Sequence, residues 1–205
     1  MFFSIDGVDG VGKSTQMERF CQWLREQGHD VVTCRDPGST ELGETLRKIV
    51  LEGHSLTIHR RSEMLIYMAA RSQLVEQVIH PALEAGRTVV SDRYLLANVV
   101  YQGYAGGLDV EQVWEVGQIA TAGLAPDLTF VLDMDVHEAS RRLNRELDRM
   151  EMQGMEFRQR VRDGYLKEAE RQIVRIEIID ASRDVDSVQA AIRQAARPWI
   201  NTVEP

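Results

Sequence analysis

Short apolar runs alternate with longer amphipathic stretches along the whole 205-residue chain. Five runs predict strands, at 2–6, 30–35, 88–92, 128–133 and 175–180. Each is short, rich in β-branched or aromatic residues, and ends at a polar residue. Between them, apolar positions recur at helical spacing over 13–27, 40–52, 62–85, 95–101, 110–123, 136–147, 156–173 and 185–199. Gly28, Gly53, Gly86 and Gly123 stand where helix stops are expected. Pro81 is expected to kink the long third helix or end its main segment. Such strand–helix alternation predicts an α/β fold, a parallel sheet with helices on both faces. No repeat, low-complexity segment or linker interrupts it, so residues 1–205 read as one domain.

Composition changes this picture little. Apolar residues make up 43% and charged residues 27%, an ordinary balance for a globular domain. The net charge of −8 argues against a non-specific binder of nucleic acid or anionic membrane. No apolar run approaches the roughly 20 residues of a membrane span. The chain opens on a strand-like MFFSID without a basic leader, which leads us to expect a cytoplasmic protein. Cys21 and Cys34 form no CxxC pattern and read as reduced, packed thiols. The five histidines have no metal-ligand spacing.

Chemistry enters at Gly7-Val8-Asp9-Gly10-Val11-Gly12-Lys13-Ser14, followed by Thr15. It fits G-x-x-x-x-G-K-[ST] in full, between a predicted strand and a predicted helix. Glycines let the backbone wrap an anion, and the helix N-terminus adds partial positive charge. Lys13 can reach the β- and γ-phosphates of a nucleoside triphosphate, and the Ser14 hydroxyl can ligate Mg²⁺. A second piece is TVVSDRY. Asp92 ends a buried strand, where an acid can support the same Mg²⁺, and Arg93 follows as a clamp for a transferring phosphoryl group. No N-K-x-D sequence appears, which disfavours a GTPase. Asp133 also ends a strand and reads as structural, or close to the nucleotide, rather than catalytic.

Arginines crowd the stretch Arg141, Arg142, Arg145, Arg149, Arg158, Arg160 and Arg162, interleaved with acids. For most of them a solvated helix face with i,i+4 ion pairs suffices. Around Arg145 and Arg149, however, NRELDRMEMQG breaks the helical pattern. It suggests a loop that closes over ATP, a lid at about 142–154.

The set DGVDGVGKST, CRDPGST, LRKIVLEG, YMAARSQLVEQVIHPAL, SDRY, YQGYAGG, APDLTFVLD, ELDRME and IDAS, in order from residue 2 to about residue 182, resembles the bacterial thymidylate kinases. The resemblance implies a P-loop nucleoside monophosphate kinase fold with a five-stranded parallel sheet, usually as a homodimer. It implies transfer of the γ-phosphate of ATP to deoxythymidine monophosphate (dTMP), with Mg²⁺, in the synthesis of dTTP. It further implies that Asp9 contacts the acceptor's 3′-hydroxyl, and that Tyr67 replaces the phenylalanine usually stacked on thymine. Arg71 would bond the thymine edge, Asn98 and Gln102 would read the pyrimidine, and Tyr101 would fill the space beneath C2′. Arg35, Pro37 and Arg47 match acceptor-side positions. Asp36 departs from the usual glutamate, Ser39 from the usual second glycine, and Pro37 is a candidate for a cis peptide. The γ-phosphate would be supported by lid arginines, because Gly10 occupies the P-loop position where other members carry arginine.

Two rivals remain at this point. A deoxynucleoside kinase would need a base for a neutral 5′-hydroxyl, and no acid is obviously placed for it after the first strand. A degenerate kinase that binds ATP and transfers nothing would have little reason to keep Lys13, Ser14, Asp92 and Arg93 together.

Overall fold

A computed structural model of the chain describes residues 1–52, 56–143 and 151–200. Strands β1 (Phe2–Asp6), β2 (Val31–Arg35), β3 (Thr88–Asp92), β4 (Leu128–Asp133) and β5 (Ile176–Asp180) form one parallel sheet in the order β2-β3-β1-β4-β5. The three central strands are buried almost throughout, which explains their continuous apolar runs: helices cover both faces. The edge strands β2 and β5 mix buried and open positions. Each of these two begins one residue later than the apolar pattern suggests.

The helix α1 (Lys13–Glu26) buries Gln16, Phe20, Cys21 and Leu24 on one stripe. Phe20 meets Phe3 of β1 edge-on at 5.4 Å between ring centroids and Phe130 of β4 at 5.3 Å. This aromatic wedge fixes α1, and with it the loop before it, over the centre of the sheet. Helix α2 (Glu41–Glu52) packs on α3 (Arg60–Leu74).

The long helix expected over 62–85 is not continuous. It runs as α3, a π-helical turn at Val75–Ile79, and α4 (His80–Glu84). Pro81 has no N–H and crowds the carbonyl four residues back, and the wider turn just before it relieves both. The helix expected over 95–101 is likewise shorter. It is α5 (Leu95–Asn98), continued by a second π-helical turn, Val99–Ala105, that carries Tyr101 and Gln102. Helix α6 (Val110–Thr121) starts at Asp109, whose carboxylate accepts from the Gln112 N–H. Helix α7 (Val136–Arg141) starts in the same way at Asp135, and the rest of the helix expected to 147 falls largely outside the described residues. Helices α8 (Met155–Arg171) and α9 (Val185–Ile200) complete the layers.

Gly28, Gly86 and Gly123 follow α1, α4 and α6 in left-handed backbone, and Gly53 lies outside the described residues. Cys21 and Cys34 are buried free thiols. Among the described residues, no helix is long and apolar enough to cross a membrane.

Phe130 is fully buried where β4 meets α1. Truncation to alanine should lower stability by about 3–5 kcal/mol. Urea unfolding followed by circular dichroism measures this, and a loss below about 1 kcal/mol would contradict the wedge.

Candidate active site

The loop between β1 and α1 is held by backbone packing. Gly7 has φ 134° and Gly10 φ 96°. A Cβ on Gly7 would stand 2.5 Å from the Leu132 carbonyl oxygen, and one on Gly10 only 2.0 Å from that of Ala139 in α7. The Gly10 position therefore has no room for the arginine that some related loops carry. Gly12 is the N-cap of α1 and supplies no capping side chain, so the first N–H groups of the helix are left for an anion. The Lys13 ammonium donates to the carbonyls of Gly7 (3.2 Å) and Val8 (2.9 Å) and to Asp9 Oδ1 (3.1 Å).

Arg93 leaves the end of β3 in left-handed backbone, φ 68°. Its Nη1 donates to the Gly7 carbonyl (3.1 Å) and the Tyr165 hydroxyl (3.2 Å), and its Nη2 to Asp9 Oδ1. The guanidinium also lies over the Tyr101 ring, 5.1 Å from its centroid, while the Tyr101 hydroxyl donates to Asp9 Oδ2 at 3.3 Å. Burial opposes the charge on Asp9, but Arg93 and Lys13 together outweigh it and hold the carboxyl well below the usual range. Beneath the loop, Asp6 Oδ1 accepts from Tyr165 at 3.2 Å. Burial, reinforced by Asp92, pushes the Asp6 pKa up to about 7 against the pull of Arg93 and Lys13. Asp6 Oδ2 and Asp92 Oδ1 are both buried without a hydrogen-bond partner.

One cavity of about 680 Å³ spans the carboxyl ends of β1, β2 and β3. Of the residues singled out from sequence, it is lined by Asp9 through Thr15, Arg35, Pro37, Arg47, Tyr67, Arg71, Asp92, Arg93, Asn98, Tyr101 and Gln102. Gly7 and Val8 stand behind it as acceptors for Lys13. Arg145 and Arg149 lie outside the described residues. Arg142 lines the cavity and pairs with Glu138 at 2.8 Å. Asp133 takes a two-pronged bond from Arg162 at 2.7 and 2.8 Å, a structural use.

The floor of the cavity is a buried polar network. Arg71 Nε bonds Asp36 Oδ2, and its Nη1 donates to Asn98 Oδ1 at 2.9 Å. The Asp36–Pro37 peptide is cis. Ser39, at φ 62°, holds a glycine-like conformation. Its hydroxyl accepts from the Arg35 N–H (2.8 Å), and its own N–H donates to Glu44 (2.8 Å). Arg35 pairs with Glu44 through Nη2, and Arg47 donates to the Pro37 carbonyl at 3.0 Å. Sequence reasoning missed Asp6, Glu63 and Tyr165, and named Asp36 only as a departure from the usual glutamate. Asp6 closes a strand-like run and could have been weighed there. Glu63 was detectable as an acid on the buried stripe of α3. Tyr165 carries no signal in the sequence.

A family model described as thymidylate kinase matches residues 5–192. The chain belongs to the thymidylate kinase family. A thymidylate kinase from Rhodopirellula baltica is 42% identical over 189 residues, 92% of this chain and 77% of that protein. One from Symbiobacterium thermophilum is also 42% identical, over 195 residues, 95% of this chain and 91% of the relative. The crystal structure of a thymidylate kinase from Ehrlichia chaffeensis superposes with TM-score 0.76 at 27% identity, covering 95% of this chain and 97% of that one. The fold is thus that of a P-loop nucleoside monophosphate kinase, and the chain is a phosphotransferase of nucleotide biosynthesis that uses ATP.

Two outcomes follow for this thymidylate kinase fold. The folded pKa of Asp6, about 7, lies above the ordinary 3.8. The folded state therefore binds this proton more tightly than the unfolded chain. The associated stability is complete below pH 4 and is lost as pH rises through about 7. Asp6→Asn, which has no proton to lose, should gain on the wild type by about 4 kcal/mol across that window in nucleotide-free, Mg²⁺-free buffer. A constant difference in urea unfolding from pH 4 to 8 would refute the assignment. Gly10→Ala must displace α7, and should weaken ATP binding at least tenfold by titration calorimetry.

Proposed function

We propose that the cavity takes ATP on its P-loop side and dTMP on its Tyr101 side, and passes the γ-phosphoryl group between them to give ADP and dTDP. The observation that carries this reading is the convergence on one cavity of Lys13, the Asp92–Arg93 pair and a floor of aromatic and amide side chains, in a chain of this family.

The acceptor is already a phosphate anion, so no strong base is required. The task is to bring two anions together in line. Lys13 would exchange the Gly7 and Val8 carbonyls for phosphate oxygens. Arg93, fixed from three sides, would face the transferring group with little reorganisation. Asp9, held ionised, suits a sugar hydroxyl as acceptor. Tyr101, anchored on Asp9, would fill the space beneath C2′ and disfavour a ribose. Tyr67 would stack on the base, and Arg71, Asn98 and Gln102 would read its edge. Arg35, Pro37 and Arg47 border the acceptor side.

The donor set also fits a divalent cation. Asp92 Oδ1 is a buried, unpartnered oxygen, and Ser14 lines the same cavity. Mg²⁺ bound by Ser14 and Asp92 would neutralise charge on the ATP phosphates.

Leu65 on α3 and Ile119 on α6 expose large apolar side chains on two helices that pack together, which supports a homodimer involving these helices. Two buried free thiols suit a cytoplasmic setting. One sheet with one contiguous core supports a single domain.

The test is ATP consumption with Mg²⁺ across the common nucleoside monophosphates and thymidine. Strong preference for dTMP is expected. Lys13→Ala or Arg93→Ala should each reduce turnover on the order of 10³-fold. Preference for another acceptor, or no turnover with any, would overturn this reading.

A further inference from the structure

Behind the cavity floor, four buried side chains form a series. Arg71 Nη1 donates to Asn98 Oδ1 (2.9 Å), Asn98 Nδ2 to Gln102 Oε1 (2.7 Å), and Gln102 Nε2 to Glu63 Oε1 (3.0 Å). All four are at most 3% exposed. Arg71, Asn98 and Gln102 line the cavity, whereas Glu63 stands behind them. We propose that Glu63 is the positioning residue that fixes which way the acceptor-pocket amides face, and so sets the preference for a pyrimidine carrying an N3–H over cytosine.

The argument turns on what each group can do. A guanidinium only donates, a carboxylate only accepts, and an amide does either at opposite ends. A series that runs from a donor-only group to an acceptor-only group has one sense. Turning either amide around would set N–H against N–H or oxygen against oxygen among side chains at most 3% exposed, where unmatched polar groups are costly. Both ends are held. Glu63 also accepts from Arg60 Nη1 at 3.3 Å, and Arg71 is tied to Asp36. Glu63 and Arg71 lie eight residues apart on the same buried stripe of α3, so one rigid element sets the span between donor end and acceptor end.

The consequence appears at Asn98. Its oxygen faces Arg71 and its nitrogen faces Gln102, which leaves a guanidinium donor beside an amide oxygen at the cavity floor. Thymine and uracil present a C4 carbonyl next to N3–H, which matches that order. Cytosine presents a 4-amino group next to an unprotonated N3 and mismatches at both positions. An Asn98 free to turn could offer N–H to the cytosine N3; Arg71 opposes that turn at one end of the series, and Glu63, through Gln102, adds a second mismatch at the other. This inference rests on the placement of dTMP in the Arg71–Asn98 half of the cavity proposed above.

Glu63→Gln keeps the shape but replaces the acceptor-only terminus with a group that works in either sense. The full-length variant is assayed at saturating ATP with dTMP, dUMP and dCMP. The dTMP-over-dCMP ratio of kcat/KM should fall about tenfold, equivalent to about 1.4 kcal/mol. The change should lie in the nucleotide KM, with kcat and the KM for ATP within about twofold. dUMP shares the N3–H edge and should move with dTMP. An unchanged dTMP-to-dCMP ratio overturns the proposal, including the case where all acceptors weaken together, as a merely structural role would produce. If Glu63→Gln fails to fold, Glu63→Asp withdraws the carboxylate by one methylene, and the same ratio should fall by a smaller factor. An unchanged ratio there is equally decisive. Asn98→Ala separates the two levels. If it leaves the KM for dTMP unchanged, the pocket placement fails and the proposal with it. If it raises that KM while Glu63→Gln leaves the ratio intact, only the role of Glu63 fails.

Discussion

The site is organised around one partly buried cation, Arg93. Arg93 sits at the carboxyl end of β3 in left-handed backbone, a conformation that costs on the order of 1–3 kcal/mol for a side-chain-bearing residue. A buried charge persists only where it is paired and hydrogen-bonded. Here the partners come from three elements: Gly7 and Asp9 from the P-loop, Tyr165 from α8, and the Tyr101 ring from the π-helical turn after α5. Removing any one partner would leave the others holding a less compensated charge. The loop, the wall and the helix behind them are therefore constrained together, and the parallel register that sets Ile5 beside Asp92 brings them within reach.

Charge is sharply segregated as a result. The chain as a whole carries −8, yet the cavity is lined by Lys13, Arg35, Arg47, Arg71, Arg93, Arg142 and Arg183. These cations outnumber the carboxylates of Asp9, Asp36 and Asp92 in the same lining, and a concave site with a positive balance concentrates anions irrespective of net charge. Net charge was thus no guide to the site. The resting ion pairs matter too. Lys13 and Arg93 on Asp9, and Arg35 on Glu44, keep the cations compensated until phosphates replace some of these contacts.

Much of the frame was legible in the sequence, for physical reasons that also mark where legibility ends. The strands appear to within one residue because burial on both faces forces continuous apolar runs. The P-loop is readable because it is made of backbone, and only glycines at fixed spacing allow that path. The interruption at Val75–Ile79 was signalled by Pro81, though not as a π-helical turn, and the one at Val99–Ala105 by nothing in the pattern. The second of these displaces Tyr101 and Gln102 relative to an ideal helix. Asp36 illustrates a different limit. The resemblance marks it only as a departure from the usual glutamate, yet the structure makes it the anchor of Arg71. Tyr165 comes from 72 residues beyond Arg93, and no local pattern announces such a contact.

The two halves of the cavity are built on different principles. On the proposed reading, the phosphate half is specified by backbone conformation and a few charges, which suits any nucleoside triphosphate tail and says little about the base. The acceptor half is specified by side chains whose own orientation depends on residues behind them. A fixed sense of hydrogen bonding cannot come from Asn98 or Gln102 alone, because an amide is nearly symmetric in shape and opposite in function at its two ends. It requires termini that cannot reverse, which here are Arg71 held by Asp36 and Glu63 held by Arg60. Selectivity for a base is on this account a property of the whole series, while contact with the base belongs only to its cavity-lining members.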